Sequence, residues 1–201
     1  MKSEIAGVIL AAGGSKRIGK PKQLLKLEND YLINSVISHS LESNLSYIIV
    51  VLGAYFNQVN NRIINSKKIQ IIRNRNWHEG QSTSLIAGLQ AADERKADAV
   101  MFLLGDQPLI STRIINELLN KYEEGRHEVV MLRTGEKKTP PIVFSRICFD
   151  KIYDLKGDKG AREIINSLNT GYVENKDLSA IIDIDTLEEF SRYKIAHSHS
   201  L

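Results

Sequence analysis

Apolar residues along this chain come in short solid runs separated by stretches with helical spacing. Runs at residues 6–10, 47–52, 69–73, 99–104, 129–133 and 142–144 predict strands. Val100-Met101-Phe102-Leu103-Leu104 shows no polar alternation, which predicts a strand covered on both faces, as in a parallel sheet. Between the runs, Leu32, Val36, Ile37, Leu41 and Leu45 fall near one face of a helix over 32–45. Leu85, Ile86, Leu89 and Ala92 do the same over 82–92, and Ile114, Ile115, Leu118 and Leu119 over 114–122. Ser111 is placed to cap the last of these. Strands alternating with helices predict a layered α/β fold with a mainly parallel sheet. The run 140–144, opened by Pro140-Pro141, reads as an edge strand. One domain is expected over 1–195, with 196–201 as a frayed tail.

The first strand opens into Ala11-Ala12-Gly13-Gly14-Ser15 and then into five cations, Lys16, Arg17, Lys20, Lys22 and Lys26. No acid stands between Glu4 and Glu28. Glycines let backbone N–H groups approach phosphate oxygens, and cations neutralise them, so the segment predicts a polyanion site. It is not a dinucleotide loop, because Gly13-Gly14 breaks the G-x-G-x-x-G spacing. Gly14, Gly19 and Lys20 approach a P-loop, but Pro21 stands where the magnesium-binding hydroxyl belongs. A charge run alone is most often a solvated face. The order of strand, small residues, Arg and then Pro-Lys is far rarer.

Composition narrows the ligand. Net charge is only +3, so the basic character is local and suits a small anion rather than bulk nucleic acid. The single Cys148 excludes an intrachain disulfide, suits a reducing compartment, and sits between Ile147 and Phe149 as a small core residue. No apolar stretch approaches the roughly 20 residues that span a bilayer. Met1-Lys2-Ser3-Glu4 is unlike a signal peptide, so a cytoplasmic protein without a membrane partner is expected.

Gly105-Asp106-Gln107-Pro108 follows the buried 99–104 run directly. Ligands of open α/β sheets gather at the carboxyl ends of strands, where Asp106 could hold a metal; a plain turn is the bland reading. Asp185, in Asp183-Ile184-Asp185-Thr186, reads either as a helix cap reciprocated by Glu188 or as a second metal carboxylate, with Asp183 the weaker claimant. Gly80 followed by Ser82, Thr83 and Ser84 offers polar groups at a helix start, for a ligand or for capping by Ser82 or Thr83. Gly157-Asp158-Lys159-Gly160-Ala161-Arg162 opens another helix, with Asp158 as its expected cap. Trp77 and His78 read as packing or rim residues, and His197 and His199 as tail.

Taken in order, these motifs resemble the nucleotidyltransferases. Leu10 to Gln23, as L-A-A-G-x-S-x-R-I-G-x-P-K-Q, is similar to the opening of that family, with Ile18 in place of the usual Met. The segment from Gly80 to Leu89 resembles its base-recognition segment. G-D-Q-P and G-D-x-G-A-R are similar to motifs of its molybdenum-cofactor cytidylyltransferase subgroup. The family often follows its second acidic motif with Pro-Glu-Asp, where this chain has Leu187-Glu188-Glu189. The resemblance implies a three-layer α/β/α, Rossmann-like nucleotidyltransferase fold and transfer of CMP from CTP to the molybdopterin cofactor, with release of pyrophosphate. It implies nucleotide binding by Leu10, Ala11, Ala12, Gly13, Gly14, Ser15, Lys22, Gly80, Ser84 and Asp106, with Arg17, Lys22 and Asp106 catalytic. It further implies magnesium on Asp106 and Asp185, and Lys159 or Arg162 against the acceptor. A molybdenum enzyme is the implied client. Transfer of GMP, a sugar or alditol phosphate acceptor, and a non-catalytic cofactor carrier are the alternatives.

Overall fold

The computed structural model describes residues 3–15, 18–27, 30–177, 186 and 188–191. In chain order the elements are β1 (Ile5–Ala11), β2 (Lys26–Leu27), β3 (Asp30–Tyr31), α1 (Leu32–Leu41), β4 (Tyr47–Leu52), α2 (Phe56–Asn60) and β5 (Ile69–Arg73). They continue with α3 (Gln81–Glu94), β6 (Ala99–Leu104), α4 (Thr112–Glu123), β7 (Val129–Thr134), β8 (Lys137–Ser145), α5 (Phe149–Tyr153), α6 (Arg162–Ile165) and β9 (Thr170–Glu174). Strands β2 and β3 form a small antiparallel ribbon. The other seven form one sheet in the order β5-β4-β1-β6-β8-β7-β9. Neighbours are parallel except where β8 meets β6 and β7.

The solid apolar runs are explained by burial on both faces. Because successive strand side chains point to opposite sides, Ile5, Ile9 and Ala11 of β1 pack with α1, α2 and α4, while Ala6 and Val8 pack with α3, α5 and α6. The two resulting cores give a three-layer α/β/α fold. Phe102 and Phe144 meet edge to face across β6 and β8, 6.1 Å between ring centres. Cys148 is fully buried, and that burial pushes its thiol up to about 11, which suits a packing residue.

Some expectations about the elements change. The proline-led run is an interior strand, since β8 lies between β6 and β7. Its prolines fit because the β7–β8 register slips there: Met131 pairs with Ile142 and Leu132 with Thr139, so Pro140 and Pro141 fall where no ladder donor is needed. The first long helix stops at Leu41 rather than 45, where Ser40 and Ser43 hydroxyls take the carbonyls of Val36 and Ser40. Leu45 is still buried, but from the following loop. Strand β9 had no expected counterpart. Ser111 caps α4 as expected, accepting from the Ile114 N–H at 3.4 Å.

Residues 188–191 form a helical turn, and its capping box is Thr186 with Glu189, one residue beyond the expected Asp185 and Glu188. Phe190 of that turn is buried with Leu25 and Leu32, beneath the segment that carries the basic loop. Arg17, Lys16, Asp183, Asp185 and the tail from 196 lie outside the described residues. No described helix is long and apolar enough to cross a membrane.

Candidate active site

The carboxyl ends of β1, β4 and β6 meet at the centre of the sheet, where their loops diverge. The Gly105 N–H donates to the Leu10 carbonyl at 3.0 Å, and the Ala54 N–H to the Ala12 carbonyl at 3.1 Å. A cavity of about 480 Å³ opens above them. One wall is the loop after β1, with Leu10, Ala11, Ala12, Gly13 and Gly14. Ser15 organises that loop. With φ of 46°, it turns the chain so that its carbonyl accepts from both Ile18 and Gly19, while its hydroxyl accepts from the Lys22 N–H at 3.1 Å. Gln23, buried behind the loop, donates to the Ala11 carbonyl at 2.9 Å.

Lys22 and Asp106, 84 residues apart in sequence, form an ion pair in this cavity. Their side chains are only 17% and 16% exposed, so the attraction is screened less than at a free surface. The next residue, Gln107, is fully buried and donates weakly to the Thr139 hydroxyl of β8, tying the turn to the sheet.

A second wall is the start of α3. Its cap is Gly80, with φ of 119°, and not the expected Ser82 or Thr83. Glycine is required there twice over. The backbone conformation is one that side chains resist, and a Cβ would stand 2.2 Å from the Gly157 carbonyl carbon. The Ser82 N–H donates to the Gly157 carbonyl at 3.1 Å. The 157–160 loop is therefore docked on α3, which brings the G-D-x-G-A-R motif beside the Gly80 segment. Ser84 is positioned by Asn74, whose amide donates to the Thr83 and Ser84 hydroxyls, both at 2.9 Å. Trp77 and His78 line the rim, as expected.

Asp158 lines the same cavity and does not cap α6, which starts at Arg162 behind Ala161 with no side-chain cap. The docked Gly157 accounts for the difference, since it holds Asp158 against α3. Arg162 lines an adjoining cavity of about 310 Å³ that shares Leu10, Gln81 and Leu104 with the first and is floored by Leu85, Phe102 and Ile142. Lys159 lines neither, facing a separate depression with Lys151 and Asp154. Gln23, Gln81 and Asp158 line the cavity without a site role expected from the sequence, and Asn74 likewise stands unexpected behind Ser84. Asn74, one residue past β5, was marked only by its position at a strand end.

The donor set fits magnesium. That ion takes hard oxygen ligands, uses one or two carboxylates, and completes its shell with water and phosphates. Asp106 offers one such carboxylate inside the cavity. No group of three or more His, Cys, Asp or Glu is gathered among the described residues, so nothing there resembles an all-protein cage.

A phosphate-loop geometry, an Asp–Lys pair and a hydroxyl-bearing helix start, set at the carboxyl ends of a doubly covered sheet, define a nucleotidyltransferase. The chain belongs to the family described as the MobA-like NTP transferase domain, whose model matches residues 7–172. It is 32% identical over 207 residues to the purine catabolism protein PucB of Bacillus subtilis (strain 168), covering 96% of this chain and 98% of that one. It is 27% identical over 188 residues to the molybdenum cofactor cytidylyltransferase of Escherichia coli (strain K12), covering 94% of each. The crystal structure of the Rv0371c homologue from Mycobacterium sp. strain JC1 matches with a TM-score of 0.83 at 27% identity, over 98% of both chains.

Proposed function

We propose that this protein transfers CMP from CTP to the terminal phosphate of the molybdopterin cofactor and releases pyrophosphate. The observation that carries the reading is the Lys22–Asp106 pair beside the small-residue loop. Two segments distant in sequence meet there on the wall of one cavity. The molybdenum cofactor cytidylyltransferase among the relatives supports the choice of nucleotide and acceptor.

The acceptor phosphate oxygen attacks the α-phosphorus in line. A new P–O bond forms, the α–β bridge breaks, and the electron pair leaves on pyrophosphate. The acceptor phosphate is already ionised, so no general base is needed. N–H groups of residues 12–15 hold the triphosphate oxygens. Lys22, with Arg17 from the same segment, neutralises charge on the transferred and leaving phosphates. The Ser84 hydroxyl accepts from Asn74, which leaves its own proton to donate to the base. Arg162, in the adjoining cavity, meets the acceptor, a role that Lys159 does not share because it faces a separate depression. Asp106 and Asp185 would hold magnesium, which when bound offsets charge on the reacting phosphates. Residues 1–195 act as one domain, working in the cytoplasm.

The test is pyrophosphate release from each nucleoside triphosphate, with and without molybdopterin cofactor, in magnesium. Release with CTP that depends on the cofactor is expected. Release with GTP alone, or with a sugar or alditol phosphate as acceptor, would replace the nucleotide or the acceptor. Cofactor binding without any release would make the protein a carrier.

A further inference from the structure

Two carboxylates line the cavity, and among the described residues only one is matched by a cation. Asp106 is paired with Lys22. Asp158 makes no hydrogen bond or ion pair with another described residue. Yet the backbone that carries it is fixed, by the Ser82 to Gly157 hydrogen bond and by the contact that excludes any side chain at residue 80.

Asp158 is itself exposed at the cavity mouth, and because an acid repels a triphosphate, the part of a ligand that it meets there is one that bears a hydrogen-bond donor. A carboxylate only accepts hydrogen bonds, whereas the Ser84 hydroxyl, already accepting from Asn74, has a proton to give. Both line this cavity. Together they present one acceptor and one donor. The cytosine edge answers with the N4 amino donor and the N3 acceptor. Uracil has nearly the same outline with both roles reversed, a carbonyl at position 4 and an N–H at position 3.

We infer that Asp158 selects the nucleotide by accepting a hydrogen bond from the exocyclic amino group of cytosine, the proton of Ser84 going to the adjacent ring nitrogen. This rests on the nucleotidyl-transfer reading. Acidic side chains accept from the cytosine amine in nucleic-acid recognition for the same reason. Discrimination against uracil then comes from leaving two acceptors face to face.

Trp77 is the only tryptophan in the chain and lines the cavity, so its fluorescence reads nucleotide binding without turnover. Titrations with CTP, UTP, GTP and ATP would use wild type, Asp158→Asn and Asp158→Ala. Wild type is expected to bind CTP at least about tenfold more tightly than UTP. Both variants should reduce that ratio to about threefold or less, with UTP binding kept. A ratio unmoved by both substitutions overturns the proposal, as does equal weakening of all four nucleotides. Adenine shows the same order of acceptor and donor, so ATP binding tighter than CTP in wild type overturns the cytosine assignment. Pyrophosphate release is measured on the same samples. A CTP preference that depends on Asp158 without any release would sink the transfer reading and leave this one standing.

Discussion

The two walls of the cavity are held by different forces. The wall after β1 is electrostatic: the loop is shaped by Ser15, and its charged member, Lys22, is met by a carboxylate from the end of another strand. The wall at α3 is steric: Gly80 lies so close to the Gly157 carbonyl that no side chain fits between the two segments. The first should fail when a charge is removed and the fold should survive. The second should fail when a single methyl is added, and stability should fall with it.

The largest effect expected is at Asp106. Asp106→Ala removes the carboxylate proposed to hold magnesium, and turnover should fall by about 10³ or more. Unfolding free energy should drop by under about 3 kcal/mol, because the pair is partly solvated and lies outside the two cores. Pyrophosphate release and a denaturant melt on the same preparation check both halves. Turnover within tenfold of wild type would remove Asp106 from the chemistry. Next comes Lys22→Ala, expected to lower the rate by about 10², as loss of one preorganised charge donor can. The double variant should be little worse than Asp106→Ala alone, because groups that act as a unit do not add. Additive losses would mean that the two act separately.

These walls also differ in how far the sequence disclosed them. Residues 10–23 were readable because chemistry constrains residue type there: a phosphate site needs small residues and cations close together, and both stand in one stretch of chain. Asp106 was readable because it ends a buried run. The parallel half of the sheet was readable because burial on both faces leaves solid apolar runs. The antiparallel half was readable as strands at 129–133 and 142–144, but not in its order. Strand β8 carries two prolines that local rules send to an edge, and only the register slip against β7 explains how an interior strand accepts them. Asp158 was read as a cap because nothing local signals that Gly157 docks on Gly80, a contact across 77 residues fixed by tertiary packing. The Thr186–Glu189 box shows how a choice between adjacent capping residues escapes local reading.

Gly80→Ala tests the steric wall. The new methyl would meet the Gly157 carbonyl carbon and impose a backbone conformation that alanine resists. Stability should fall by about 2 kcal/mol or more, followed by thermal or denaturant melts. The nucleotide Kd, read from Trp77 fluorescence, should rise by about tenfold as the 157–160 loop shifts. An unchanged Kd in a destabilised protein would show that the docked loop supports the fold without shaping the cavity.

The smallest effect separates the two walls most cleanly. Asn74 is buried, at 6% exposed, and its amide nitrogen serves both the Thr83 and the Ser84 hydroxyls. Asn74→Asp keeps the size and removes both donors. The Ser84 hydroxyl must then turn its proton toward the new carboxylate, which withdraws that proton from the cavity. CTP binding should weaken by about three- to tenfold, while inorganic pyrophosphate, which has no base, should bind as before. Asn74→Asp changes no group on the loop after β1, so loss of pyrophosphate binding would show that the charge had reached Lys22 and Asp106 through the protein. Retention of pyrophosphate with weaker CTP would show that the base and the phosphates are held by walls that can be broken one at a time.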